Sequence, residues 1–209
     1  MKKIVTAVAI AAASLTAQAE GFYVGGGLGF SAIKNELATF NTEMVSLLGG
    51  SISSTQDSSM QNLRLIGGYK VNDNFAIELG YVKTSDFGLS FTGRSGGNVA
   101  YSGSGTVSIS GFDVAAVLRP DIASGYNNFF ATVGTHSYKA KTGVTFSVSG
   151  TSYSDNTSES GTGLMFGVGY DWKIDKDLDF RMSLIRMNKL AGNSDSNATS
   201  VGVNLIKRF

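Results

Sequence analysis

Apolar side chains occupy every second position along much of this chain, with small or polar ones between them. In the first such segment, Phe22, Val24 and Leu28 alternate with Tyr23 and with small residues such as Gly25. Strand side chains alternate between two faces, so this period predicts strands with one apolar face. The pattern is typical of an all-β, eight-stranded antiparallel up-and-down β-barrel that turns its apolar face to lipid. The eight segments lie at about residues 21–33, 62–71, 75–81, 107–119, 128–138, 164–172, 178–184 and 201–209.

The connections between these segments alternate in length. Short ones lie near residues 73, 122 and 175. Short periplasmic turns and longer extracellular loops are the rule for transmembrane barrels, whereas a soluble β-sandwich would rarely arrange its loops so consistently. The longer connections, rich in Ser, Gly, Thr and Asn, lie at about 34–61, 86–106, 139–161 and 188–199.

Aromatic residues cluster beside the short turns, in the outward register of the predicted strands. Outer-membrane barrels carry such aromatic girdles where the apolar band meets the headgroups. We therefore expect an inner girdle at the periplasmic interface of the membrane. Its predicted members are Tyr69, Phe75, Tyr170, Trp172 and Phe209.

The first residues have the pattern of an export signal. Lys2 and Lys3 precede a mostly apolar stretch at 4–15, and small residues at 17 and 19 occupy the positions that a signal peptidase reads. That stretch is too short to cross roughly 30 Å of hydrocarbon, and no later segment has the roughly 20 apolar residues of a transmembrane helix. We expect a signal peptide at 1–19 and the barrel domain at 20–209, exported by the Sec pathway to the outer membrane of a Gram-negative cell.

Composition excludes several classes of site. Seventeen Lys and Arg oppose sixteen Asp and Glu, and removing Lys2 and Lys3 leaves fifteen against sixteen. Nucleic-acid binding needs a concentrated basic patch, so we expect no nucleic-acid partner. The chain has no Cys, which excludes disulfides and thiolate metal sites. We expect no cofactor and no metal.

Three stretches resemble a known family. One is Gly-Phe-Tyr-Val-Gly-Gly-Gly-Leu-Gly-Phe at 21–30, and a second spans 63–81 with Gly-Gly-Tyr-Lys-Val-Asn-Asp-Asn-Phe-Ala-Ile-Glu-Leu-Gly-Tyr at its end. The third is Gly-Val-Gly-Tyr at 167–170, accompanied by Arg181 and a terminal Phe209. They resemble the small outer-membrane β-barrel family, which includes the OmpA membrane domain, OmpX, Ail-like and opacity proteins. The resemblance covers the mature chain and implies the fold better than the activity, because several functions share this barrel.

The resemblance also implies partners. The barrel assembly machinery reads the C-terminal strand of such proteins, and the barrel wall contacts outer-membrane lipid and lipopolysaccharide. Lys207 departs from the family, which usually has an aromatic or large apolar residue two positions before the terminal Phe209. A lysine at the interface can snorkel toward the headgroups, but we expect weaker recognition by the insertion machinery.

Charged residues of both signs fall on the inward face of the predicted strands. Eight strands leave an interior just wide enough for side chains, so an internal salt-bridge network is one interpretation and an ion pathway is the other. An unpaired buried charge costs several kcal/mol, so we expect Glu78 to pair with Arg64, Lys70 or Arg181. The predicted lumen charge network consists of Arg64, Lys70, Glu78, Asp113, Asp171, Asp179, Arg181 and Arg208.

No pattern of catalytic residues stands out. His136 is the only histidine and Ser137 follows it. Adjacent strand residues point to opposite faces, so these two side chains cannot readily form a catalytic dyad. We expect no enzymatic activity, no catalytic residues, and a lumen or rim position for His136.

The first long connection contains apolar residues at helical spacing, with Asn35 as a candidate cap and Gly49-Gly50 as a stop. A short helix on the membrane or over the barrel mouth, and an irregular loop, both remain open here. The spaced residues are Leu37, Phe40, Met44, Leu47 and Leu48.

With no chemistry in the strands, function is expected in the displayed loops. The leading hypothesis is a structural or adhesin-like surface protein with a host or environmental ligand. The alternatives are a small porin or channel and, third, a lipid A-modifying enzyme. The outward register should continue past Tyr81 into projecting ribbons, whose unpaired edges can recruit an extended partner unless the ribbons shield one another. The predicted surface-ribbon residues are Phe87, Leu89, Phe91, Val107, Ile109, Val144, Phe146 and Val148.

Overall fold

The computed structural model describes residues 21–33, 37–120, 128–192 and 196–209. The predicted signal peptide and most of the predicted turn after Pro120 lie outside these residues. One antiparallel sheet dominates the described part of the chain. In chain order the elements are β1 (Phe22–Ile33), α1 (Leu37–Leu48), β2 (Ser51–Gln56), β3 (Ser59–Lys70), β4 (Phe75–Thr84), β5 (Phe87–Arg94), β6 (Ala100–Leu118), β7 (Phe129–Val148), β8 (Thr151–Asp175), β9 (Leu178–Met187), a 3₁₀ turn (Leu190–Gly192) and β10 (Ala198–Arg208).

Eight of the strands pair in a closed ring. In the order β1, β3, β4, β6, β7, β8, β9 and β10, each pairs antiparallel with the next, and β10 pairs with β1. Following paired residues once around the ring from Ser160 of β8 returns to β8 at Tyr170, a stagger of 170 − 160 = 10 residues. Strands of such closed sheets tilt by about 35–45° to the barrel axis. The predicted eight-stranded antiparallel barrel is confirmed.

On the extracellular side, part of the barrel wall continues as a five-stranded sheet. β5 pairs with the first half of β6, and β2 pairs with β5. The paired stretches at 100–110 of β6, 139–148 of β7 and 151–160 of β8 complete this extracellular sheet. The connections expected at 86–106 and 139–161 are therefore largely strand. Their Ser, Thr and Gly content reflects a wall that stands outside the lipid, where strands need no apolar outer face.

A two-residue turn joins β7 to β8. Ser149 and Gly150 both have positive φ, 49° and 85°. Positive φ at both central residues is the property of a type I′ turn, whose twist matches that of the flanking strands. The hairpin keeps one register from the Phe129–Tyr170 pair to its tip.

One extra residue between β4 and β5 reverses which side chains of β5 face inward and which face outward. Lys83 pairs with Ser110, and Phe87 pairs with Val107. The chain therefore advances four residues from β4 to β5 while its partner strand β6 advances only three. One inserted residue is a β-bulge, and it moves every later side chain to the opposite face. Phe87 and Phe91 are only 8% and 7% exposed, on the face that continues the lumen wall. The outward register predicted for this segment is therefore wrong.

The outward face of the ring is an apolar band with aromatic rims. At the periplasmic rim, Tyr69 packs on Phe22 with ring centroids 4.7 Å apart, and Tyr170 lies 4.5 Å from Trp172. Phe129 and Phe180 also join this rim, although the sequence pattern had not singled them out. The predicted residues Phe75 and Phe209 are half-buried at the same end.

None of the described helices is long and apolar enough to cross a membrane.

The limits of the apolar band can be tested on a single strand. Val114 is exposed on the outward face of β6 within the band, whereas Thr106 is exposed on the same face within the extracellular sheet. Val114→Arg should lower the free energy of unfolding by about 2–4 kcal/mol because it places a cation in lipid. Thr106→Arg should change it by less than about 0.5 kcal/mol. Urea unfolding from lipid vesicles, followed by Trp172 fluorescence, measures both, and equal costs would show that the band is misplaced.

Candidate functional site: the charged lumen and the extracellular sheet

The periplasmic half of the lumen holds a buried ion-pair network centred on Arg181. Its guanidinium lies 2.5 Å from Glu78 Oε1 and 2.7 Å from Asp171 Oδ1. Asp171 also accepts a hydrogen bond from Arg119 at 2.8 Å, and the Tyr23 hydroxyl donates to Glu78 at 2.8 Å. Of the three partners considered for Glu78, the structure selects Arg181. Arg119 and Tyr23 were not identified from the sequence as members of this network.

A second ion pair lies closer to the extracellular side. Arg64 donates two hydrogen bonds to the Asp113 carboxylate, at 2.6 and 3.0 Å, and the Tyr138 hydroxyl donates a third at 3.0 Å. A two-pronged guanidinium–carboxylate contact is both strong and directional. Gly80 makes room for it, because a Cβ there would lie 2.5 Å from Asp113 Oδ1.

The remaining predicted lumen charges lie at the periplasmic mouth. Lys70 pairs with Asp73 at 2.6 Å, and Arg208 pairs with Asp179 at 3.1 Å. The Lys70 ammonium holds the pKa of the exposed Asp73 carboxyl below its usual value. These groups line a cavity of about 250 Å³ that also reaches Arg119. The mouth is thus an open space lined by charged and polar side chains, in contrast to the filled interior above it.

His136 lies inside the lumen, 1% exposed. Its Nε2 donates to the Asn188 carbonyl at 2.9 Å, and its ring stacks on Tyr138 with centroids 4.5 Å apart. Ser137 is exposed on the opposite face of β7. The two side chains therefore do not meet. Among the described residues, no group of three or more His, Cys, Asp or Glu side chains could hold a metal ion.

Apolar side chains fill the lumen at its extracellular end. Met60 and Met165 are 0% and 1% exposed, and Phe87 closes over them from the extracellular sheet. A cavity of only about 20 Å³ lies beside Arg64, separate from the periplasmic one. The described interior thus combines two salt-bridged layers with an apolar layer above them. The buried residues of this apolar layer are Met60, Val82, Phe87, Ile109, Ala115, Tyr138, Met165, Ile185, Met187, Leu190 and Ala198.

The concave face of the extracellular sheet is aromatic and apolar. Phe91 lies against Gly103, where a Cβ would come within 2.4 Å of its ring, and Phe146 packs 6.1 Å from Phe91 and 6.3 Å from Tyr101. Strand pairing places all predicted surface-ribbon residues on this one face. They are Phe87, Leu89 and Phe91 of β5, Val107 and Ile109 of β6, and Val144, Phe146 and Val148 of β7.

The first long connection forms a helix, which was one of the two alternatives left open. α1 ends at Leu48, and the following Gly49, whose φ is 65° and whose amide donates a hydrogen bond to the Val45 carbonyl, caps its C-terminus. The helix lies beside β2, and Ser54 donates to Asn41 at 2.7 Å. α1 therefore lies next to the β2 edge of the extracellular sheet.

The other edge of this sheet is open. β8 pairs with β7 from Thr151 onward, but with β9 only from Met165 onward. All side chains at 151–160 are exposed. Within the described part of the chain, this stretch has a partner strand on one side only. Among the described residues no strand pairs with its second row of backbone donors and acceptors, and the 3₁₀ turn approaches this row only at Ser160.

Comparisons with known proteins agree with this architecture. A model of the outer membrane protein beta-barrel domain matches residues 4–209. No curated protein sequence matches the chain. Solved structures with the same fold include Ail, the attachment invasion locus protein of Yersinia pestis, at 15% identity over 91% of this chain and 99% of that chain, with a TM-score of 0.52. A less similar solved structure is that of the outer membrane protein OprG of Pseudomonas aeruginosa, at 16% identity over 92% of this chain and 98% of that chain, with a TM-score of 0.42.

Proposed function

Because this chain belongs to the outer membrane protein beta-barrel family and resides in the outer membrane, we propose that it is a closed, adhesin-like barrel that binds an external partner through its extracellular sheet. The open edge at 151–160 carries this proposal. Such an edge can accept an extended segment of another chain, with main-chain hydrogen bonds supplying affinity. Proteins usually protect long edges, so an exposed one calls for an explanation.

The filled lumen supports a binding role over a transport role. Arg181, Arg64 and their acidic partners are buried and paired, and breaking such pairs to admit an ion leaves uncompensated charge. A small channel is the second candidate, favoured by the cavity of about 250 Å³ at the periplasmic mouth. A lipid A-modifying enzyme is third, since His136 and Ser137 lie on opposite faces and offer no nucleophile–base pair.

The proposed partners are of two kinds. The barrel wall contacts outer-membrane lipid and lipopolysaccharide, and the C-terminal strand β10, with Phe209, is the segment offered to the barrel assembly machinery. The external ligand is the second kind. Ail has been solved with the heparin analogue sucrose octasulfate, which supports an anionic glycan as a first probe for this chain.

Shortening the β7–β8 hairpin should abolish binding and leave the barrel intact. Thr142 pairs with Thr157, so residues 143–156 can be replaced by Asn-Gly, which favours a two-residue type I′ turn. Cells expressing this variant should lose autoaggregation and retention on heparin-coated plates. The measurement is adhesion at equal surface display, with heat-modifiable gel migration as the check of folding.

The matched control is Ser149→Asn, which keeps the turn and the full open edge and should bind like wild type. A finer variant, Tyr153→Lys with Thr157→Lys, places charge along the edge without removing it. It should reduce adhesion as the truncation does. Adhesion that survives truncation in a correctly folded barrel would remove the extracellular sheet from the binding function.

A further inference from the structure

Three methionine side chains lie in the same buried apolar layer of the upper lumen. Met165 of β8 and Met187 of β9 are directly opposite each other in the strand pairing, and both are buried inside the ring. Met60 enters the layer from β3, on the wall opposite β8. The three side chains are only 1%, 7% and 0% exposed. Their thioether sulfur atoms are therefore enclosed in one compartment.

His136 is the polar neighbour of this methionine pair. It lies opposite Gly163 in the strand pairing, and Met165 is two residues further along β8. Both side chains are buried in the lumen, so they are diagonal neighbours on one face of the sheet. Diagonal neighbours lie about 7–8 Å apart, which is within reach of aromatic and long side chains. The imidazole therefore lies next to the thioethers.

The His136 ring carries a nitrogen lone pair that has no partner. A carbonyl oxygen only accepts hydrogen bonds, so the 2.9 Å contact between Nε2 and the oxygen of Asn188 places the proton on Nε2. In the neutral ring Nδ1 then keeps its lone pair, and this atom is buried without a hydrogen-bond partner in the described part of the chain. Stacking on Tyr138 fixes the plane of the ring. Metal-binding histidines have the same arrangement, with one ring nitrogen bonded to a carbonyl or carboxylate and the other to the ion.

Thioether sulfur and imidazole nitrogen form a soft set of donors. Thioether ligands select Cu(I), and imidazole also binds copper well. Mg²⁺ and Ca²⁺ require oxygen ligands, and Zn²⁺ in proteins is held by thiolate, imidazole or carboxylate. All these side chains are uncharged, so a monovalent ion adds the smallest charge that a metal can bring into a buried site.

We propose that the upper lumen binds one Cu(I) ion through the His136 imidazole and the methionine thioethers. The ligands are Nδ1 of His136 and the sulfur atoms of Met60, Met165 and Met187. Methionine is unbranched and flexible, so its sulfur can turn toward an ion held in direct contact without a separate cavity. The expectation of no metal rested on the missing cysteines and the single histidine, and it left thioethers out of account. The site is independent of the extracellular sheet and its partner.

The test refolds the full barrel in detergent, without oxygen, in the presence of Cu(I) or of Ag(I) as a redox-inert substitute. Mass spectrometry of the intact folded protein should show one bound ion per chain. The X-ray absorption spectrum at the copper edge should show both sulfur and nitrogen neighbours. The chain has no cysteine, so any sulfur neighbour is a thioether.

Two sets of variants assign the ligands. Met165→Leu with Met187→Leu keeps the volume of the layer and should weaken Cu(I) binding at least about tenfold, measured by competition with a chromophoric Cu(I) chelator. His136→Gln should remove the imidazole signal from the absorption spectrum. Met182→Leu is the matched control, because Met182 lies on β9 with its side chain 43% exposed on the outward face, and it should bind like wild type.

Wild-type protein decides the claim even where a variant fails to give the heat-modifiable band. A copper spectrum with no sulfur neighbour would overturn the proposal. Zn²⁺ in tenfold excess should not displace Cu(I), and displacement would overturn the assignment to thioethers. Among folded variants, equal Cu(I) affinity of wild type and of the double leucine variant would overturn the methionine ligands.

Discussion

Replacing Arg181 by leucine should lower the free energy of unfolding by about 3–5 kcal/mol, because it leaves the buried Glu78 carboxylate without its cation. Glu78 loses Arg181, its one salt-bridge partner among the described residues, and keeps the Tyr23 hydroxyl, while Asp171 keeps Arg119. Trp172 is the only tryptophan and lies at the lipid interface, so its fluorescence reports unfolding from vesicles in urea.

Two further variants separate this effect from general damage. Lys207→Gln removes an ion pair whose side chains are 49% and 44% exposed, and should cost less than about 1 kcal/mol. Arg181→Leu combined with Glu78→Gln should be less destabilised than Arg181→Leu alone, because the second change removes the stranded charge. Additive costs in the double variant would show that Glu78 and Arg181 are not energetically coupled.

Gly27→Val should prevent stable closure of the barrel. Gly27 lies on the inward face of β1, paired with Asn204, and a Cβ there would lie 1.9 Å from the Val203 carbonyl oxygen of β10. The obstacle is backbone, so it cannot move aside without opening the seam between the first and last strands. We expect a loss of at least about 3 kcal/mol, at the upper end for overpacking. The folded, heat-modifiable band should be strongly depleted.

The neighbouring glycine is the matched control. Gly26 faces outward, and the nearest atom to a Cβ there is a Leu65 methyl carbon at 3.4 Å. Gly26→Val adds apolar surface toward lipid and should fold nearly as well as wild type. Equal folding of the two valine variants would contradict the close approach of β1 and β10.

The membrane part of the fold was predictable because lipid imposes a period of two on every strand that crosses it. Above the membrane that constraint ends, and the prediction became less accurate there. Strand β2 was expected to be part of a loop, because Ile52 is its only apolar residue. Strand β5 was expected as a ribbon that continues the outward register of β4. The bulge after Thr84 reversed the face of Phe87 because a one-residue insertion leaves the local alternation unchanged.

The interior was predictable in composition but not in pairing. The alternation along each strand identifies which charged side chains face the lumen. Which of them pairs with Glu78 depends on how far the eight strands are staggered around the barrel. Arg119 was missed although it ends the predicted segment 107–119 on the same inward face as Asp113; in the structure β6 ends one residue earlier, at Leu118.

We infer that ion pairs and apolar side chains close this barrel, so that the extracellular sheet is the part that binds a partner. Planar-bilayer recording of the folded, purified wild-type protein tests that claim most directly. We predict no reproducible unit conductance, because the Arg64 and Arg181 networks and the Met60 layer fill the lumen. Discrete, repeated conductance steps from the folded protein would contradict the account and favour the channel.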